Sequence, residues 1–207
     1  MATYGFYFDN ERCTGCRTCS MACRDYNDTP REISFRKVYD VEGGGFEVAE
    51  DGTCTTTSFV YHISLGCQHC ADPACIKACP TTAMHKDPQT DLVVVDTEKC
   101  IGCGYCAMAC PYGVPTVDRE AGHSVKCTGC IDRVKAGKKP ICVEACPLRA
   151  LDFDEIGALR KAHSGVQQIH PMPDASITRP HIIIKPSPAA ASPLAAEGFI
   201  ANPKEVQ

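Results

Sequence analysis

Cys100-Ile-Gly-Cys-Gly-Tyr-Cys-Ala-Met-Ala-Cys110-Pro is the stretch on which the reading of this chain turns. Cys100, Cys103 and Cys106 sit at three-residue spacing, so one tight loop can offer three thiolates to the iron corners of a cubane cluster. Cys110 lies four residues further on, about 6 Å along the axis if that stretch is helical. It is therefore aimed at a second cluster. Packing alone gives no reason for such a spacing.

The same arrangement recurs on both sides. Sixteen of the seventeen cysteines fall into four groups of four: Cys13, Cys16, Cys19, Cys23; Cys67, Cys70, Cys75, Cys79; Cys100, Cys103, Cys106, Cys110; and Cys127, Cys130, Cys142, Cys146. Three groups close with Cys-Pro. In two-cluster ferredoxins the run C-x2-C-x2-C-x3-C-P places its fourth cysteine on the other cluster. The pattern predicts four [4Fe-4S] clusters, with iron held by all sixteen cysteines. A disulfide framework fits badly, because cysteines three apart rarely meet disulfide geometry and the total is odd. Zinc fits better but still poorly, since three thiolates in one loop and a fourth aimed elsewhere do not surround one tetrahedral ion.

Group one mirrors group three, as Cys13-Thr-Gly-Cys-Arg-Thr-Cys-Ser-Met-Ala-Cys23 shows beside the opening stretch. Group two mirrors group four, through Pro73-Ala-Cys-Ile-Lys-Ala-Cys-Pro and Pro140-Ile-Cys-Val-Glu-Ala-Cys-Pro. A ferredoxin-like unit needs one group of each type, so the chain reads as two units related by duplication. Between groups two and three, Ala83 to Lys86 and Leu92 to Asp96 flank Asp87-Pro-Gln-Thr-Asp91 and predict a β-hairpin. That pairs groups two and three and leaves groups one and four to meet across a long insertion. Spacing alone leaves the sequential pairing open.

The expected class is α+β. Residues 1–32 plus 120–155 form the unit with groups one and four, and 66–119 the unit with groups two and three. A β-rich insertion occupies 33–65, with Gly43-Gly-Gly45 and the run Thr55 to Ser64. Residues 156–207 hold a short helix, within the stretch Asp154 to Ala162, and an extended tail. The tail has seven of the fifteen prolines and one strand candidate, His181-Ile-Ile-Ile-Lys185. Tyr4 to Phe8 and Leu92 to Val95 read as strands leading into cysteine loops.

The formal charge of −4 excludes a strongly basic nucleic-acid binder. Four oxidised clusters would carry the loaded chain to about −12, so Lys and Arg near the cysteines are expected to offset charge. Arg24 after Cys23 and the loop cations Arg133, Lys135, Lys138 and Lys139 are the candidates, and the loop could instead dock a partner. His69 inside group two could tune a cluster through its ring N–H. Cys54 belongs to no group and reads as a strand residue. No run approaches the roughly eighteen apolar residues of a membrane helix. The opening Met1 to Asp9 has no basic or long apolar region, so export would require a partner. No nucleophile elbow, phosphate-binding loop or HExxH is present, and no catalytic residue is expected: complete cysteine sets pass electrons without binding substrate.

The order of the groups, with C-x2-C-x4-C-x3-C-P second and C-x2-C-x11-C-x3-C-P fourth, resembles the four-cluster subunits of molybdopterin oxidoreductases. Cys13-Thr-Gly-Cys, Ser34-Phe-Arg-Lys-Val-Tyr39, the stretch from Cys100 to Gly113, Pro140 to Ala150 and Ile182-Ile-Ile-Lys-Pro186 narrow the resemblance to the electron-transfer subunits of the anaerobic dimethyl sulfoxide reductase family. The resemblance implies four ligand sets. These are Cys13, Cys16, Cys19 and Cys146; Cys23, Cys127, Cys130 and Cys142; Cys67, Cys70, Cys75 and Cys110; and Cys79, Cys100, Cys103 and Cys106. It implies a heterotrimer with a molybdopterin catalytic subunit and an integral anchor that oxidises quinol, passing electrons to the reduction of S- and N-oxides; the alternatives are the same role in a polysulfide, thiosulfate, tetrathionate or formate complex, or a free polyferredoxin. The protein would then be peripheral on the inner membrane, at the periplasmic face by co-export or at the cytoplasmic face.

Overall fold

The computed structural model describes residues 2–206. Strand β1 (Tyr4–Asp9) leads into the first cysteine loop, which enters helix α1 (Thr18–Asn27). The insertion supplies β2 (Lys37–Gly43), the hairpin β3 (Phe46–Val48) and β4 (Cys54–Thr56), and β5 (Phe59–Leu65). Helix α2 (Ala74–Lys77), β6 (Met84–Lys86), β7 (Val93–Val95) and α3 (Tyr105–Ala109) carry groups two and three. Then come β8 (Thr116–Asp118), β9 (His123–Val125), α4 (Ile131–Lys135), α5 (Ile141–Glu144), β10 (Leu151–Glu155) and α6 (Ile156–Ala162). The last stretch adds β11 (Ile182–Lys185), α7 (Pro188–Ala191) and β12 (Phe199–Ile200).

β1 is the centre of a sheet in the order β10-β1-β11, antiparallel to β10 and parallel to β11. A central strand is covered on both faces, so its sequence is apolar without clean alternation. Phe6, Tyr7 and Phe8 are all buried. Phe6 faces Phe153 across the pair, with ring centroids 4.8 Å apart in an edge arrangement. The strand before group one is thus paired with the strand after group four. In the middle of the sequence, β6 and β7 form the antiparallel hairpin between groups two and three.

The insertion folds as the antiparallel sheet β12-β2-β5, burying Val38, Val41, Tyr61 and Ile63. Asn10 couples the two sheets: its side chain donates to the carbonyl of His62 at 2.6 Å and accepts from the N–H of Ser187 at 3.0 Å. The residues after 165 do not run as one extended ribbon. They enter the first sheet through β11 and the second through β12, and Asn202 bridges to the backbone of Val38 and Asp40. Asp154 and Glu155 complete β10, so the helix begins at Ile156. A second hairpin, β8 and β9, spans position 119/120, so the two stretches read from the sequence meet there as paired strands.

One ion pair joins the β6–β7 turn to α4. Lys135 Nζ lies 2.8 Å from Asp87 Oδ2. Partial burial pushes the Asp87 carboxyl upward, but hydrogen bonds from Lys135, Thr90 and the Gln89 backbone outweigh it and hold the carboxyl at about 2. A folded value below that of an unfolded aspartate contributes stability that is complete above about pH 4 and lost as pH falls through 2. Lys135→Met is expected to lower stability by about 1 kcal/mol after solvent screening. The difference from wild type should be constant between pH 5 and 8 in thermal unfolding. Identical midpoints at pH 7 would remove the prediction.

Candidate iron-sulfur centres

Each group opens with a loop whose residue before the second cysteine is left-handed: Gly15, His69, Gly102 and Gly129, with φ of 66°, 44°, 66° and 70°. This turn brings the first thiols of a group around one centre. Gly102 also needs the space, because a Cβ there would lie 2.6 Å from the carbonyl oxygen of Gly122. His69 alone carries a side chain in this strained position, a conformation that non-glycine residues adopt at an energetic cost. The third and fourth cysteines fall on or just after short helices. Cys19 and Cys23 are both buried on α1, and α1 packs against α5, which carries Cys142 and precedes Cys146. Helix α2, with Cys75, packs in the same way against α3, with Cys106.

These packings bring cysteines of different groups together. Cys13, Cys16, Cys19 and Cys146 line one pocket. Cys79, Cys100, Cys103 and Cys106 line another. Cys23 is surrounded by Cys127, Cys142 and Cys130, and burial followed by those neighbours raises its thiol well above the ordinary range. Cys67, Cys70, Cys75 and Cys110 form the remaining neighbourhood, in which burial first and the other thiols second push Cys75 up to about 12. Burial also lifts Cys13, Cys70 and Cys142 to about 11. Such crowded thiols stay protonated until a metal group displaces their protons.

The donor sets suit a cubane. Among the described residues no trio of His, Cys, Asp or Glu converges closely enough for a single ion. The thiols face a space instead of a point. An orphaned donor supports the same fit: His69 is fully buried, and its Nδ1 accepts from the N–H of Val93 at 3.0 Å. The proton is therefore on Nε2, which has no partner among the described residues and lies beside Gly129 of the Cys127–Cys130 loop. Burial, then Lys126, lowers the imidazole well below its usual range, so the ring is neutral. A cluster sulfur is an acceptor suited to that N–H. Further donors reach the thiols themselves. The N–H groups of Ser124, Met84, Gly129 and Ala150 point to Cys100, Cys79, Cys127 and Cys146 at 3.3–3.4 Å. Ser64 Oγ and Ser124 Oγ lie 3.3 Å from Cys19 and Cys106.

The cations singled out by sequence also find other partners, although Arg133 opposes the rise that burial imposes on the Cys130 thiol. Arg24 is bonded to the carbonyl of Pro30, Arg133 to Glu144, Lys135 to Asp87 and Lys139 to Asp152. Lys138 is exposed. Cys54 begins β4 and is exposed. The cations that lie among the thiols are Arg36 and Lys126, which sequence reasoning missed. Arg36 stood within the quoted stretch Ser34 to Tyr39, but nothing local announced its burial. No helix among the described residues is long and apolar enough to cross a membrane.

The family described as 4Fe-4S dicluster domain matches residues 58–156, which hold groups two, three and four. The sequence is 51% identical over 206 residues to the B subunit of the anaerobic dimethyl sulfoxide reductase of Haemophilus influenzae, covering 100% of both proteins. It is also 51% identical over 203 residues to the B subunit of the Escherichia coli K12 enzyme, covering 98% of each. The thiosulfate reductase electron transfer subunit PhsB of Salmonella typhi is 36% identical over 154 residues, covering 74% of the present sequence and 76% of PhsB.

Proposed function

The protein belongs to the family of anaerobic dimethyl sulfoxide reductase B subunits, and on that premise we propose that it is the electron wire of such a reductase. Members of this family are iron-sulfur electron-transfer subunits, so the protein is not itself the catalyst, and it binds [4Fe-4S] clusters. Electrons leave a quinol-oxidising membrane anchor, cross four clusters, and reach a molybdopterin subunit that reduces dimethyl sulfoxide and related S- and N-oxides. The three subunits form a heterotrimer on the inner membrane, with this one at the periplasmic face by export alongside its catalytic partner. The greater and full-length likeness to the dimethyl sulfoxide reductase subunits favours this substrate class over thiosulfate.

The four clusters take the sets Cys13, Cys16, Cys19, Cys146; Cys23, Cys127, Cys130, Cys142; Cys67, Cys70, Cys75, Cys110; and Cys79, Cys100, Cys103, Cys106. Two ferredoxin-like units related by duplication hold them in pairs. The pairing of β1 with β10 and the packings of α1 on α5 and α2 on α3 support this division. The observation that carries the wire is exposure. Among the described cysteines of these sets, only Cys16 of the first and Cys103 of the fourth are exposed. Two sets with an exposed thiol and two without suit passage between two partners. Exposed Leu148 borders the first set and exposed Ile101 the fourth, with exposed Tyr105 and Met108 on α3 flanking Cys106 in sequence, apolar surfaces of the kind that partners cover.

The clusters supply one-electron acceptors, while the protein's residues hold and shield them. Serine at Cys103 is expected to remove or degrade one cluster, taking iron from roughly 16 to roughly 12 per protein. The crossing makes a sharper test by electron paramagnetic resonance of the intact complex. Cys110→Ser should alter the signal altered by Cys67→Ser and leave the one altered by Cys103→Ser. Wild-type iron near 12, or Cys110→Ser and Cys103→Ser striking the same signal alone, would sink the assignment.

A further inference from the structure

Arg36 and Lys126 are each only 3% exposed. Among the described residues neither forms an ion pair with a carboxylate, although exposed cations across the surface do. Withdrawing a cation from water with no counter-charge is strongly unfavourable. The compensating charge has to come from the thiolates beside them.

The geometry puts each cation at a junction. Arg36 Nη1 donates to the carbonyl and hydroxyl of Ser64 at 3.2 and 3.1 Å, and its guanidinium stands 4.9 Å over the Phe6 ring. Ser64 Oγ is in turn 3.3 Å from Cys19 of the first set. The guanidinium is within electrostatic reach of Cys142, Cys127 and Cys23 of the second set as well as Cys19 of the first. Lys126 Nζ donates to the carbonyls of Val93 and Cys127 and lies 3.6 Å from Cys67 Sγ of the third set. It immediately precedes Cys127 of the second set in the sequence.

We propose that Arg36 and Lys126 are fixed counterions of the wire, Arg36 shared by the first and second clusters and Lys126 by the second and third. Reduction of a cluster adds one electron and one negative charge, and breaks no bond. A cation already in place favours that reduced state and raises the potential of both neighbours. The inference rests on the ligand sets proposed above.

The test is a potentiometric titration of the intact complex followed by electron paramagnetic resonance, with iron and acid-labile sulfide measured on each sample. In Arg36→Met, the reduced-to-oxidised ratio of one or two clusters at fixed potential should fall at least tenfold, which is 59 mV for a one-electron couple. Lys126→Met should displace a different, overlapping pair. Arg36→Lys and Lys126→Arg should restore wild-type potentials, and the fourth cluster should be unmoved throughout. Neutral variants with full iron and wild-type potentials would overturn the inference. So would charge-keeping variants displaced as far as the neutral ones. Should the neutral variants lose iron, retention in the charge-keeping variants supports the counterion role, and loss in all of them overturns it. A wild-type complex without four cluster signals overturns the underlying ligand sets, an outcome distinct from unmoved potentials in a fully loaded variant.

Discussion

Stripping the iron is expected to abolish the tertiary structure and leave no empty scaffold. Helices α2, α3, α4 and α5 are four or five residues long, far below the length at which a helix persists unaided. Each carries or directly follows a cysteine of the proposed sets, and that ligand anchors it. Cys19, Cys142 and Cys146 belong to the main buried cluster of side chains, so without iron that core contains crowded thiols and voids. Arg36 and Lys126 would also lose the anions opposite them, and a buried charge deprived of its partner costs about 3–5 kcal/mol. Metal binding and folding are then one equilibrium. Chelation under reducing conditions should erase amide hydrogen-exchange protection in β1, β10 and β6–β7 alike. A cooperative thermal transition retained by the iron-free protein would refute this.

Phe8→Ala is expected to destabilise the loaded protein by about 3–5 kcal/mol. Phe8 is fully buried at the centre of the first sheet, opposite Leu151 on β10 and Ile184 on β11, and it forms part of the wall beside the first cysteine set. Truncation removes aromatic area and opens a void that two strands and a cysteine loop cannot all close. The visible cluster absorbance should therefore be lost at a lower temperature, with the first cluster released before the fourth. An unchanged transition, or loss beginning at the fourth cluster, would show that β1 does not brace the first site.

Local elements are legible where periodicity and turn chemistry act locally. Tyr4 to Phe8 and Leu92 to Val95 read as strands, and they appear as Tyr4–Asp9 and Val93–Val95. Cys54 reads as a strand residue and begins β4. The hairpin of β8 and β9 escapes the sequence reading, although Asp118 to Gly122 carries turn residues between Val117 and Val125. Its strands are three residues each, too short for alternation to stand out. The C-terminal prolines suggest an extended tail with one strand at His181 to Lys185; that strand appears as Ile182–Lys185, and the stretch also adds β12 to the second sheet. Strand addition depends on which edges the rest of the fold leaves open, and no local pattern records that.

The charges divide in the same way. A basic loop of Arg133, Lys135, Lys138 and Lys139 attracts attention in sequence, but three of these reach carboxylates. Arg36, followed only by Lys37, and Lys126 lie outside any longer basic run, and folding buries them among the thiols.

The sequence by itself determined that this is a polynuclear thiolate protein, because a cluster's corners are met by cysteines three residues apart and that spacing is a local property of the polypeptide. It also made the fourth cysteine of each group point elsewhere. Only the tertiary structure shows which thiols reach the surface and which cations are buried beside thiols. Those are outcomes of strand pairing, helix packing and desolvation, and each depends on residues far apart in the sequence.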